Sequence, residues 1–152
     1  MSTYSFPKFM KSFEKIEPLD NIQIKDKCEQ LKIKNFEGIF MRNELTGKSS
    51  KNECLILNHD HSSNEGTHWT CLFVKDDVAY YFDSFGFDPP LEIISYTSNC
   101  IDRNSNSDPI QKWGQVICGH LCIYMLYQLN NECSYWNFYD ILDELYVKNY
   151  KK

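Results

Sequence analysis

A chain of 152 residues is long enough to bury one sizeable core and too short for two, so residues 1–152 are expected to form a single domain. With 42% hydrophobic and 24% charged residues it has the make-up of an ordinary globular protein, and a formal charge of −5 argues against a concentrated basic face for duplex nucleic acid. No secretory signal opens the sequence and no apolar run approaches the roughly 18 residues that cross a bilayer, which points to an intracellular protein without a membrane partner.

In chain order, Ile24, Cys28 and Leu31 share one helical face, with Asp20 or Asn21 placed to cap, so a short helix is expected from Ile24 to Leu31. Phe36 to Phe40 follows as a strand. The apolar run Cys54 to Leu57 predicts a buried strand between loops rich in Ser, Asn, Gly and His. Trp69 to Val74 and Val78 to Phe82 are β-branched and aromatic and stand at hairpin spacing around Lys75, Asp76 and Asp77, which are simplest as turn residues. Pro90 opens a helix at Leu91 to Tyr96. Asn99 to Asp108 is polar and turn-rich and is expected to be a surface loop. Leu121, Cys122, Met125, Leu126 and Leu129 recur at helical spacing and predict a buried helix from Cys118 to about Asn130. A last helix is expected from about Ser134, a plausible cap, with Phe138, Ile141, Leu142 and Leu145 inside. Central strands with helices to either side make an α+β domain.

The chemistry converges on Cys118. A cysteine is a useful nucleophile only as the thiolate, which is favoured at helix N-termini and beside imidazolium. Cys118 opens the most apolar helix of the chain, and Gly119 after it lacks a side chain that would keep a substrate carbonyl from the backbone. The hairpin brings His68, at the entry of one strand, near Asp83 and Ser84 at the exit of the other, and a one-residue slip in register would decide which of the two shares its face. A carboxylate on one ring nitrogen leaves the other to face a thiol, as a Cys-His-Asp triad requires. The backbone N–H of Cys118 can serve one side of an oxyanion hole, and the amide of Gln111 or of Gln115 the other.

Gly66-Thr67-His68-Trp69, then Tyr81-Phe82-Asp83-Ser84-Phe85-Gly86, then Gln111 seven positions before Cys118-Gly119 together resemble the adenovirus maturation protease family, the adenain-like enzymes. Virophage and Polinton or Maverick proteases are similar in motif, and the SUMO-specific proteases belong to the wider clan. The likeness runs from about Phe36 to Leu129. It implies a mixed central sheet flanked by helices, with the nucleophile at the start of a buried helix. By motif it puts the base on His68, the orienting carboxylate on Asp83, the oxyanion donor on Gln111 and the nucleophile on Cys118. Adenain has a glutamate where Asp83 stands, so the acidic position is more like that of the virophage and SUMO enzymes.

What the resemblance implies further is a cysteine endopeptidase, without cofactor or metal, acting as a monomer on viral capsid precursors at small-residue, Gly-Gly-like sites. It would work in the viral factory of the host cytoplasm and in the virion. Adenain is activated by a viral peptide and by DNA; no segment here matches that peptide, and the acidic balance speaks against DNA. Two other functions fit the same residues: an isopeptidase that removes a ubiquitin-like modifier, and a catalytically silent capsid-associated module that keeps the fold.

The remaining candidates have plainer explanations. Seven cysteines at irregular spacing point to free thiols, and Cys122 to the core. Trp69 is expected to pack on the hairpin and His120 to lie on an exposed helix face. Cys54, His59 and His61 suggest zinc, yet nothing completes a tetrahedral set. Lys25, Lys27, Lys32 and Lys34, with Lys148, Lys151 and Lys152, are interleaved with acidic residues and are expected to be solvated.

Overall fold

A computed structural model of the chain describes residues 4–60, 68–112, 114–131 and 137–150. Five strands form one sheet in sequence order: β1 (Phe36–Met41), β2 (Glu53–Asn58), β3 (Trp69–Lys75), β4 (Val78–Asp83) and β5 (Asp102–Ser105). The outer pairs β1–β2 and β4–β5 are parallel and the inner pairs antiparallel, so the sheet is mixed. Among the described residues no helix is long and apolar enough to cross a membrane.

The central strands are buried on both faces, as their unbroken apolar runs require. On one face lies α4 (Cys118–Asn130), covered in turn by α1 (Phe6–Lys11), α2 (Asn21–Gln30) and α5 (Phe138–Tyr150). On the other, Leu55, Leu57, Leu72 and Tyr81 pack with Ile93 and Tyr96 of α3 (Leu91–Tyr96), the helix that carries the crossover from β4 to β5. Asp20 caps α2 through a reciprocal bond pair with Gln23, which assigns the cap left open between Asp20 and Asn21. Phe138, Ile141, Leu142 and Leu145 are buried along α5 as the spacing predicts. The described cap of that helix is Asn137, whose side chain accepts from the Asp140 N–H, while Ser134 lies outside the described residues.

Three expectations need correction. The segment from Asn99 to Asp108 is not all loop: Asp102 to Ser105 forms the edge strand β5. Four polar residues on one edge carry no hydrophobic alternation, so nothing in the composition marks them as strand. His120 is buried rather than exposed, because α4 is enclosed by the sheet below and the N-terminal segment above; its ring packs edge-on against Phe13 at 4.6 Å. Burial, then the charge of Lys27, holds His120 down at about 4, so it is neutral at physiological pH. Lys27 is likewise not solvated: it is buried with its ammonium 4.4 Å from the Phe13 ring centroid, whereas Lys25, Lys32 and Lys34 are exposed.

After β4 the chain turns at Gly86, whose φ of +75° is left-handed and whose missing Cβ would stand 2.5 Å from the Ser107 carbonyl oxygen. Gly47 shares the left-handed conformation, φ +82°, but has nothing within 4 Å. Alanine at Gly47 should therefore cost about 1 kcal/mol of stability for the backbone alone. Alanine at Gly86 should cost about 1–3 kcal/mol more, since the backbone of Ser107 must move. Equal shifts of the two denaturation midpoints would contradict this packing.

Candidate active site

The turn between β3 and β4 is two residues, Asp76 and Asp77, with φ of 51° and 65°. Both central residues left-handed is the turn whose twist suits a tight hairpin. Its register pairs Lys75 with Val78 and, at the far end, Thr70 with Asp83. His68 precedes Thr70 by two residues and so shares its face. Asp83, not Ser84, is therefore the residue that meets the imidazole: His68 Nε2–H donates to Asp83 Oδ1 at 2.7 Å.

Asp83 is completely buried and is held from several directions. Its Oδ1 also accepts from the Phe85 N–H at 2.8 Å. The Asn106 side chain clamps its backbone, accepting from the Asp83 N–H at 3.0 Å and donating to the Asp83 carbonyl at 2.6 Å. Asn106 follows β5 directly and so extends the sheet by one side chain.

The Phe85 ring lies over His68 with centroids 4.7 Å apart. Burial opposes the charged imidazole, but the hydrogen bond to Asp83 and the nearby Cys118 side chain, with the charge on each, outweigh it and raise His68 from 6.5 to about 9. The other ring nitrogen, Nδ1, is buried without a closed hydrogen bond, and it is left to the Cys118 side chain. An open contact of this kind is common before substrate tightens a site.

Cys118 is the first residue of α4, half-buried, behind Ile117, which offers no side-chain cap. The N–H groups of the first turn thus keep free positions for a developing negative charge. Gln111 and Cys118 line one cleft of about 680 Å³, together with Leu19, His59, His68, Trp69, Phe85 and Phe87. Gln115 is exposed, and its amide oxygen accepts from the Lys112 N–H at 2.7 Å while its carbonyl receives the Gln111 amide N–H. Of the two glutamines, Gln111 is the one buried and fixed in the cleft.

Gly119 has a packing role besides the one its position suggests. A Cβ there would meet Trp69 Cδ1 at 3.3 Å, Ile24 Cδ1 at 3.4 Å and Leu19 Cβ at 3.4 Å, so its small size lets the N-terminal segment close on α4. Trp69 joins the same contact, with Nε1–H donating to the Leu19 carbonyl at 2.9 Å, and so binds the sheet to that segment. Cys122 and Cys54 are core residues, and the Cys54 thiol turns to the Lys34 carbonyl. Among the described residues no group of three or more His, Cys, Asp or Glu could hold a metal ion, and His61 lies outside them. The six described cysteines are free thiols.

The chain is similar in fold to the crystal structure of the ASFV pS273R protease, with a TM-score of 0.62 at 17% identity over 87% of this chain and 66% of that one. The Se-Met form of that protease gives 0.61 at 15% identity over the same shares. No family model matches the sequence, and no curated protein matches it. The fold expected from the sequence, a mixed sheet flanked by helices, is the fold found, and it is the fold of that solved protease.

Because the folded imidazole titrates near 9 and the unfolded one near 6.5, the pair adds stability below about pH 6.5 that is lost as the pH rises through about 9. Proton titration of the His68 ring by NMR should give a midpoint near 9, falling by at least about one unit in Asp83→Asn. A midpoint near 6.5 in both proteins would contradict the arrangement.

Proposed function

We propose that this chain is a cysteine endopeptidase, adenain-like in its motifs, that cleaves viral structural precursors. One observation carries the reading: an imidazole backed by a buried carboxylate lines one cleft with a cysteine at a helix start and a buried amide. The solved protease of the same fold supports it.

In the reaction this geometry supports, Cys118 Sγ attacks the scissile carbonyl carbon and the π electrons move onto oxygen. The oxyanion is met by the Cys118 N–H and by one Nε2–H of Gln111. His68 Nδ1–H protonates the leaving amine as the C–N bond breaks, leaving a thioester on Cys118. The freed imidazole then takes a proton from water, whose oxygen attacks the thioester and releases the acid. Asp83 holds the ring in place.

Substrates with glycine beside the scissile bond fit a cleft walled by Trp69 and Phe85, where small residues leave the backbone free to approach Cys118. The same chemistry serves an isopeptidase, so the decisive comparison uses a capsid precursor and a ubiquitin-like conjugate side by side. Cleavage of the precursor is expected, with kcat/KM down at least about a thousand-fold in Cys118→Ala and about a hundred- to a thousand-fold in Gln111→Ala. Cleavage of the conjugate alone would assign the protein to the isopeptidases. Equal particle maturation with and without Cys118 would mean a silent module.

A further inference from the structure

Ser84 takes no part in the reaction just described, yet it is fully buried and directs both its carbonyl and its side chain at the segment carrying Gln111. Its carbonyl accepts from the Ile110 N–H at 2.7 Å and the Gln111 N–H at 3.0 Å. Its hydroxyl donates to Gln111 Oε1 at 2.7 Å.

These bonds settle the direction of an amide that could otherwise lie two ways round. The Gln115 carbonyl can only accept, so it must face Gln111 Nε2. The amide oxygen then has to point the other way, where Ser84 supplies the donor. One N–H of Nε2 is spent on Gln115, and the second remains for the cleft.

We propose that Ser84 is the positioning residue of the oxyanion hole, fixing the backbone and the amide of Gln111 so that its free N–H is aimed at the oxygen that becomes negative when Cys118 attacks. The inference rests on the protease reading above. Asp83 closes β4 and meets His68, while Ser84, the first residue of the turn that follows, holds Gln111. The Asn106 clamp on the Asp83 backbone anchors both. Base and oxyanion donor are thus set by one dipeptide rather than by two independent loops.

The test is Ser84→Ala in the full chain, assayed on a fluorogenic peptide with Gly-Gly before the scissile bond. Expected is a fall in kcat of about 10- to 100-fold with KM within about twofold. A peptide aldehyde, whose hemithioacetal oxygen occupies the oxyanion position, should lose affinity by a similar factor. Alkylation of Cys118 by iodoacetamide and the His68 midpoint should stay as in the wild type, because the ion pair does not pass through Gln111. In a Gln111→Ala background, Ser84→Ala should lower kcat no further.

Ser84→Cys, which keeps the branching of the side chain and weakens the donor, should fall between wild type and Ser84→Ala, and it carries the test if the alanine variant does not fold. Full kcat and aldehyde affinity in either folded variant would overturn the proposal. So would losses that multiply with Gln111→Ala, or an equal slowing of Cys118 alkylation. If the wild type shows no Cys118-dependent cleavage, the protease reading fails and this inference with it; if the wild type cleaves and Ser84→Ala cleaves as fast, only this inference fails.

Discussion

Asp76 and Asp77, both with positive φ, fix the register of the β3–β4 hairpin, and that register decides which side chain meets His68. With a two-residue turn, Asp83 stands opposite Thr70 and on the face of the imidazole. One residue more in the turn would send the carboxylate to the α4 side and bring Ser84 to the ring, where a hydroxyl could not stabilise an imidazolium. The charge of the site is therefore set five rungs away from it, by backbone conformation. The Asn106 clamp and the Phe85 N–H then hold Asp83 in a fully buried position, where an unpaired carboxylate would be costly.

Cys118 is placed by packing instead of by pairing. Helix α4 is buried on nearly every side, with the sheet beneath it and the N-terminal segment above. Gly119 allows Leu19, Ile24 and Trp69 to close on the first turn, and His120 and Lys27 meet around Phe13 one step further out. A helix locked in this way cannot slide along the sheet without opening the core, so Cys118 keeps its height relative to His68. The cleft is left at the one end of α4 that nothing caps.

Much of this was legible in the sequence because the relevant elements are apolar and regular. The hairpin, the central strand from Cys54 to Leu57 and the helix that begins at Cys118 all follow from periodicity and turn chemistry, and the hairpin brings His68 to Asp83, whereas Cys118 joins them in the sequence reading only through the resemblance to the adenain-like enzymes. What stayed hidden depends on tertiary surroundings. The edge strand β5 is polar and short, and it forms only because β4 offers a parallel partner. His120 is read as exposed by any pattern that assumes a helix has a wet side, and α4 has almost none; Lys27 stands on α2, which has one, and is covered there by Phe13. The bonds of Ser84 and Asn106 to residues more than twenty positions away leave no mark on composition.

The central claim is that Cys118 and His68 act as a pair, and cysteine alkylation tests it without a substrate. The rate of each cysteine with iodoacetamide would be followed by mass spectrometry between about pH 5 and pH 9, in the wild type and in His68→Ala, against an ordinary thiol that reacts appreciably only near its pKa of about 8.5. The account predicts that Cys118 reacts fastest at and below neutral pH and loses that advantage without His68. Cys100, also half-buried but against the Ser49 hydroxyl, should react at the same rate in both proteins. A Cys118 that reacts no faster than Cys100, or equally fast with and without His68, would contradict the account.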